Sequence, residues 1–324
     1  MGDSMLHQAS PQLLLAAAQR VGFGGLDGGT HVVFPAPWHV MVAFVEQSIT
    51  PTAVVAGRLR VTVDHSRAAE MHLFASQWNA RRITPTLVVT FDDTGVGLSM
   101  RSTLPVGCGI STAQADDFMH TALVTADAAV TDAAGFFPEI ASPPEQSARI
   151  KNDTALLGEK PPSIAGIATG GHPPPVGGRD TNPGGLPHPV DLPRIGAALS
   201  RRQISWTVSG GTGRELIMYR LKALSAAVYL DRGPVVVFAT SWRLGGDPNR
   251  DFLRVAMCCN TVNEHRLSTR TSVRAGRSHL GVGMEYMVPA AAGLTDGQLD
   301  MSLEAANLAL VSATGRLRHE LTGR

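Results

Sequence analysis

The amino-acid sequence predicts an α+β fold made of two copies of one domain, each an antiparallel sheet packed with helices. The main observation is a repeat at a spacing of 184 residues. Its clearest members are Asn79 with Asn263, Arg82 with Arg266, and Ile83 with Leu267. A second observation is the pair of helix-start signals Ser111-x-x-Gln114 and Thr295-x-x-Gln298. A period this long exceeds the roughly 20–50 residues of a solenoid unit and indicates duplicated domains.

Each copy is predicted to open with a short helix, at Pro11–Arg20 and at Pro193–Arg202. Proline suits the first helical turn, where its missing amide hydrogen is harmless. Strands follow, because apolar runs there are bounded by turn residues. Their predicted ranges are 30–34, 40–45 and 52–61 in the first copy, and 204–208, 216–221, 226–230 and 235–243 in the second.

A middle helix comes next, at 66–79 and at 250–263. Its apolar residues have the i, i+3/i+4, i+7 spacing of a buried helix face. These stripes are Met71, Phe74/Ala75 and Trp78 in the first copy, and Val255, Cys258/Cys259 and Val262 in the second. The pattern therefore places Cys258 and Cys259 in a hydrophobic core, where free cysteine behaves as a small apolar residue.

A β-hairpin is predicted after each middle helix. Its strands are 86–91 with 97–103 in the first copy, and 270–273 with 281–288 in the second. Within it, Gly95-Val-Gly-Leu98 is matched with Gly281-Val-Gly-Met284. This match is two residues out of the main register, so it requires two extra residues in the preceding loop of the second copy.

Each copy closes with a long helix that begins at a capping box. The hydroxyl of Ser111 or Thr295 accepts from the third helical amide, and the glutamine side chain can reach back. An apolar seam with 4-3-4-3-4 spacing runs along each helix. The seams are Ala115, Met119, Ala122, Ala126, Ala129 and Ala133, and Leu299, Leu303, Ala306, Leu310, Ala313 and Leu317. The equivalence of the seams motivates the hypothesis that the two copies dock as an intramolecular pseudo-dimer.

The stretch from 138 to 192 separates the two copies. It contains repeated proline and glycine clusters and no aromatic residue. Such a composition buries too little apolar surface to offset the entropy of ordering, so it predicts a flexible or partly extended linker. Docking of its short apolar pieces, 155–157 and 164–168, on a domain is the alternative. The predicted organisation is therefore a first domain at 1–137, a linker at 138–192 and a second domain at 193–324.

Composition excludes several classes of partner. Twenty-eight basic and 27 acidic residues give a net charge of +1 with no basic face, so nucleic acid is not an expected partner. No apolar run approaches the roughly 18–20 residues that span a bilayer, and the N-terminus lacks a signal-peptide pattern. We therefore expect a cytoplasmic protein without a membrane partner. Three cysteines are too few for a disulfide framework.

Residues with reactive side chains form no convincing catalytic, cofactor or metal motif. His65, His72 and His120 lack histidine or cysteine at their counterpart positions, and a metal site needs three or four convergent ligands. Asp92-Asp93 is typical of a hairpin turn. The glycine clusters at 22–29 and 210–213 lack the strand-then-helix setting of a phosphate loop. We therefore predict no catalytic residues, no cofactor-binding residues, no metal ligands and no enzymatic activity.

The repeated residues resemble the YbjN family. Its members share a helix ending in a Trp-Asn or Asn-x-x-Asn element, an arginine-rich turn, a β-hairpin and a glycine-led start to a final helix. The corresponding segments are Trp78-Asn79 and Asn260-x-x-Asn263, then Gly109-Ile110-Ser111 and Gly293-Leu294-Thr295. The resemblance covers most of 45–137 and 225–320. The second copy departs from the first in having Val262 where the first has Trp78.

This resemblance implies a fold similar to type III secretion chaperones, which are small α+β domains that pair and bind client segments. It also implies a regulator of sensory transduction and brings no agreed catalytic residues. We expect a non-enzymatic protein-binding module with a chaperone-like or regulatory role. The alternative is a small-molecule-binding or catalytic protein that uses the groove between the domains. Exposed tryptophans near Phe34 or Tyr219 would mark a partner-binding patch.

Overall fold

The computed structural model describes residues 5–47, 50–158, 185–211, 214–221, 224–231, 234–245, 247–276 and 279–322. It contains two six-stranded antiparallel sheets, each packed with helices, and this confirms the predicted α+β class. No helix in these ranges is both long and apolar enough to cross a membrane.

The first domain follows the predicted order of elements, with one unpredicted short strand, at 26–27, before the first predicted strand. In chain order these are α1 (Pro11–Arg20), β1 (Leu26–Asp27), β2 (Val32–Pro35), β3 (His39–Glu46), β4 (Thr52–Leu59), α2 (Ala68–Arg81), β5 (Thr86–Asp92), β6 (Gly95–Pro105) and α3 (Thr112–Phe136). The sheet order is β1-β2-β3-β4-β6-β5, which leaves β5 at one edge. A further helix, α4 (Gln146–Gly158), follows α3.

The second domain repeats this architecture. Its elements are α5 (Leu192–Arg201), β7 (Trp206–Gly211), β8 (Arg214–Leu221), β9 (Leu224–Asp231), β10 (Val235–Leu244), α6 (Pro248–His265), β11 (Thr269–Ala275), β12 (Leu280–Pro289) and α7 (Asp296–Thr322). The sheet order β11-β12-β10-β9-β8-β7 is that of the first domain read from its other edge, so β5 corresponds to β11 and β6 to β12.

Helix starts follow from capping side chains. The amide of Leu13 donates to Ser10 Oγ at 3.2 Å at the start of α1, and the amide of Arg194 donates to Asp191 Oδ1 at 2.8 Å at the start of α5. Both long helices begin with the predicted capping boxes at 111–114 and 295–298. Each of these side chains satisfies an amide that has no partner within its helix.

Each final helix buries its apolar seam in its own domain. The seam of α3 belongs to the first core, and the seam of α7 belongs to the second. The seams therefore do not join the two copies. A seam of this spacing fits a sheet as well as another helix, and the sheet of the same domain satisfies it first.

The predicted insertion in the second hairpin is also wrong. Gly97 lies opposite Thr90, and Gly281 lies opposite Arg274. Positions 90 and 274 already differ by 184, so Gly97 is the counterpart of Gly281 and the two hairpins have equal lengths. A Gly-x-Gly pattern matches itself again after a shift of two residues, which is the side-chain period of a strand.

The structure changes the description of the predicted linker. Helix α4 occupies 146–158, where a flexible or extended chain was expected, and it packs on β2. Leu156 and Leu157 bury apolar surface there, and Asp153 forms an ion pair with Arg60 at 2.6 Å. These contacts offset the ordering entropy that the composition alone left uncompensated. The range 159–184 lies outside the described residues.

Candidate functional site

The two domains meet where each presents an edge strand and its middle helix. In the first domain, Asn79 Nδ2 donates to the carbonyl of Leu87 at 2.8 Å, and the amide of Leu87 donates back to Asn79 Oδ1 at 2.9 Å. Asn263 makes the same pair of bonds with Thr271 at 2.9 and 2.7 Å. Each repeated asparagine thus satisfies outward main-chain groups of an edge strand, which would otherwise be buried without partners.

The next outward-facing residue of each edge strand is satisfied by the other domain. The amide of Val89 donates to Asn260 Oδ1 at 2.7 Å, and Asn260 Nδ2 donates to the carbonyl of Val89 at 3.0 Å. In the counterpart contact, the amide of Val273 donates to Ser76 Oγ at 3.4 Å. Because each domain covers the other's edge strand, the contact has the reciprocal form of a two-fold dimer interface.

The two capping boxes meet on the same pseudo-two-fold axis. Gln114 Nε2 donates to the carbonyl of Gly293 at 2.7 Å and to Gln298 Oε1 at 3.0 Å. Gln298 Nε2 donates to the carbonyl of Gly109 at 2.9 Å and to Gln114 Oε1 at 3.0 Å. Each glutamine therefore caps its own helix and also binds the opposite domain. Buried polar groups satisfied in this way favour one defined relative orientation of the domains.

Arg101 breaks the symmetry of the interface. This buried side chain lies on β6, and its Nη2 donates to the carbonyls of Asn263 and Arg266 at 2.6 Å each. These carbonyls belong to the end of α6 and the turn after it, where helical carbonyls lack intrahelical partners. Burial lowers the pKa of Arg101 to about 10, so the guanidinium stays charged at neutral pH. The counterpart is Glu285, which pairs with Arg270 and Arg274 of its own domain.

His72 lies in the same interface and has no hydrogen-bond partner for Nε2 among the described residues. It is 5% exposed, and burial lowers its pKa from the ordinary value of 6.5. The corresponding residue of the second domain is Ala256. Burial of the neutral ring is compatible with the interface, whereas burial of the imidazolium is unfavourable.

Stability is expected to fall as the pH drops below about 6.5, because the unfolded chain then binds a proton at His72 that the folded chain does not. The variant His72→Ala should lose part of this dependence of stability on pH. Another part should remain, because the buried His39 also has a pKa lowered by burial. Urea unfolding at about pH 7.5 and about pH 5.5 measures the difference. The exposed His65→Ala serves as control. Equal pH dependence in the wild type and His72→Ala would contradict the assignment.

A cleft of about 580 Å³ lies between the domains. Its lining includes Arg81, Thr86, Arg101, Asp117, Asp231 and Met287. Burial raises the pKa of Asp117, with the nearby His120 acting in the opposite direction. A carboxyl with a shifted pKa in a cleft of this size is a feature of ligand sites as well as of structural ion networks.

The outer faces of the two sheets, opposite the faces packed by the final helices, differ in what covers them. We define the first outer face as His31, Val33, Val42, Ala56 and Arg60. Helix α4 covers it: Leu156 and Leu157 pack on its valines, and the Leu156 carbonyl lies 2.8 Å from His31 Nε2. Arg60 also donates through Nε to the carbonyl of Ala36 at 2.8 Å while it holds Asp153.

Strand pairing identifies the equivalent positions of the second sheet. Thr52 lies opposite Pro105, and Val235 lies opposite Pro289, which is the counterpart of Pro105. Position 52 therefore corresponds to position 235, and position 60 corresponds to position 243. The remaining pairings give Leu216, Met218, Ala227, Ala239 and Arg243, which we call the second outer face. The first four are partly exposed and Arg243 is exposed, whereas Val33 and Val42 are buried beneath α4. No helix in the described part of the chain takes the place of α4 on this face.

The cysteines and histidines with reactive side chains do not converge on one site. Cys259 lies in the second core, where burial raises the pKa of its thiol, and Cys258 packs beside it. His65 and His72 both lie near the ring of Phe91, with centroids 6.4 and 6.0 Å away. Across the described ranges, no group of three or more histidine, cysteine and acidic side chains is arranged to hold a metal ion.

The condition for an aromatic binding patch, exposed tryptophans beside an exposed Phe34 or Tyr219, is not met. Phe34 and Tyr219 are buried at 4% and 3% exposure. Trp78 is buried and donates through Nε1 to the carbonyl of Pro85 at 2.9 Å. Trp38 is 37% exposed, and its Nε1 donates to the carbonyl of Ala141 at 3.2 Å. Sequence reasoning therefore missed both the polar interface stripe and the second outer face. The one available signal for the stripe was the repeated asparagine.

Comparison with known proteins gives a family match for the first domain. Residues 15–134 match the sequence model of YbjN, described as "Putative bacterial sensory transduction regulator". Over this range the first domain is similar to the YbjN family. This range includes α2 with Trp78 and Asn79, the elements on which the resemblance was based. The second domain repeats the strand order of the YbjN domain, although the family model does not extend to it.

One similar solved structure is that of YbjN from E. coli, whose title calls it "a putative transcription regulator". The identity is 11%, the match covers 41% of this chain and 96% of that chain, and the TM-score is 0.34. No match was found among curated proteins.

Proposed function

We propose that this protein is a non-enzymatic, cytoplasmic protein-binding regulator whose two YbjN-like domains act as an intramolecular pseudo-dimer. We further propose that its partner binds the second outer face. The observation that carries this proposal is that the second outer face repeats the strand positions of the first but has no covering helix among the described residues. A partly apolar sheet face rimmed by charge is a common form of protein-binding surface.

The domain interface supports this role by removing competing surfaces. Edge strands β5 and β11 are covered by Asn260 and Ser76 of the opposite domain, so neither edge is free to recruit another strand. Pairing through edges and middle helices leaves the outer face around β7–β9 accessible. A fused pair also holds its two halves together at any concentration, whereas separate domains must associate.

The proposal is tested by recovering partners from the cells in which the protein occurs. Tagged wild type is compared with Met218→Arg, which places a charge in the second outer face. Met257→Arg is the matched control, since Met257 is exposed on α6 of the same domain. Proteins that co-purify with wild type and Met257→Arg are expected to be absent from Met218→Arg. Identical sets from both variants, with unchanged thermal unfolding, would overturn the proposal.

The interdomain cleft favours a second candidate function, the binding of a small molecule. Its volume of about 580 Å³ and the raised pKa of Asp117 are the observations in its support. Mass spectrometry of the purified protein would then detect a bound metabolite that is lost from Asp117→Asn and retained by Met218→Arg. A protein partner gives the opposite dependence on these two variants.

A further inference from the structure

We infer that the second outer face takes an amphipathic helix of a partner protein, with a carboxylate placed three to four residues before a pair of leucines. This inference rests on the proposed function and specifies the partner at the same surface. The template is α4 of the chain itself, in which Asp153 precedes Leu156 and Leu157 at this spacing. Positions i, i+3 and i+4 lie on one side of a helix.

Contacts beneath α4 show how the first outer face recognises a helix. The ion pair between Arg60 and Asp153 is almost completely enclosed, with side chains 6% and 9% exposed. Leu156 and Leu157 pack on the buried cluster of Val33, Val40, Val42, Phe44 and Val54. An enclosed charge pair fixes position and direction, because a misplaced helix would leave the arginine without its carboxylate.

The second outer face retains the charged contact. Arg243 occupies the strand position of Arg60, is exposed, and makes no hydrogen bond or ion pair with any described residue. Arg220, on the same face, is also exposed. Of the acidic residues on this face, Glu285 is paired with Arg270 and Arg274. Asp231 also has an interaction partner. The available charge is therefore positive, which favours an acidic helix over a basic one.

The apolar contacts are retained in altered form. Met218 replaces Val33, and Ala227 replaces Val42, so the surface stays apolar while β9 presents a smaller side chain. Leu216 replaces His31, the residue that contacts a main-chain carbonyl of α4. A helix bound here is consequently held by the carboxylate at one end and by apolar packing at the other. The smaller side chain of Ala227 leaves room for a partner side chain at least as large as leucine.

A partner helix fits this surface better than α4 of a second copy. Each copy already holds its own α4 through the enclosed ion pair of Arg60 and Asp153. Transfer of α4 to another molecule would break that pair and expose the first outer face, so the exchange gains little. A helix from another protein forms the contact with Arg243 without this loss.

A labelled synthetic peptide of residues 143–158 is the probe, and its fluorescence anisotropy is measured with the full-length chain. We expect saturable binding that weakens about tenfold or more in Arg243→Asp, because one partner of an enclosed charge pair is lost. A peptide carrying Asp153→Arg should bind Arg243→Asp better than it binds wild type. Arg318→Asp, an exposed change on α7, is the control and should leave binding unaltered.

Three results would overturn the inference. One is absence of peptide binding. If cellular proteins still co-purify with the wild type and not with Met218→Arg, the proposed function is supported while the assignment of a helix as the occupant fails. Another is binding that is equal in wild type and Arg243→Asp, which places the peptide elsewhere. The third is a full-length chain that is dimeric by light scattering and becomes monomeric in Arg243→Asp, since the occupant is then a second copy.

Discussion

Replacement of Arg101 by methionine is expected to lower the free energy of unfolding by about 3 kcal/mol and to loosen the contact between the domains. The guanidinium of Arg101 is the partner of two carbonyls at the end of α6, at Asn263 and Arg266. Methionine keeps the length and apolar stem but supplies no donor, so both carbonyls lose a charged hydrogen bond in a buried place. Urea unfolding measures the energy, and small-angle scattering measures the separation of the domains.

Arg318→Met is the matched control for this prediction. Arg318 is exposed on α7, so the same substitution there should change the free energy of unfolding by less than about 0.5 kcal/mol. Equal stability of the two variants would show that the contact with α6 contributes little. Loss of stability without any change in scattering would mean that the remaining hydrogen bonds of Asn260 and Gln114 are enough to keep the domains together.

The order of elements could be predicted because two copies constrain each other. A short apolar run that is ambiguous alone becomes a strand when its counterpart shows the same length and the same neighbours. Capping boxes at Ser111 and Thr295 fix helix starts through local chemistry, so they were predicted correctly. The glycine match failed because Gly-x-Gly is degenerate under a two-residue shift, and only strand pairing distinguishes the two registers.

Helix α4 could not be predicted from its composition. Its segment has few apolar residues, and the repeat offers no counterpart for comparison. Its order depends on Arg60, which lies 93 residues earlier in the chain. A contact between residues so far apart in the sequence leaves no pattern within the segment itself, whereas a capping residue is recognised from its immediate neighbours.

The interface escaped prediction because it uses the polar side of the middle helices. His72, Ser76 and Asn79 follow the i, i+4, i+7 spacing of a helix stripe, and polar residues at this spacing ordinarily face solvent. Here they meet edge strands whose main-chain groups need partners. The apolar stripe of the same helix, with Met71 and Trp78, packs in the core as predicted. Each middle helix is therefore buried on two sides for two different physical reasons.

Alanine at Asn79 or at Asn263 is expected to cost about 2–4 kcal/mol of stability in either case. Each side chain is 2% exposed and makes two hydrogen bonds to main-chain groups of an edge strand. Alanine leaves one buried amide and one buried carbonyl without partners at the same place in each domain. Equal losses would argue against a division of labour between the copies, and a clear excess at one site would identify the domain that limits stability.

The shape of the transition adds a second result from the same variants. If the contacts through Asn260, Gln114 and Arg101 couple the domains, both variants should shift one cooperative unfolding transition. Independent domains would instead give two transitions, each moved by one variant only. Asn152→Ala, at an exposed position of α4, is the control and should leave the curve in place. Two separate transitions would contradict the pseudo-dimer, because reciprocal edge-strand contacts join the stability of one domain to that of the other.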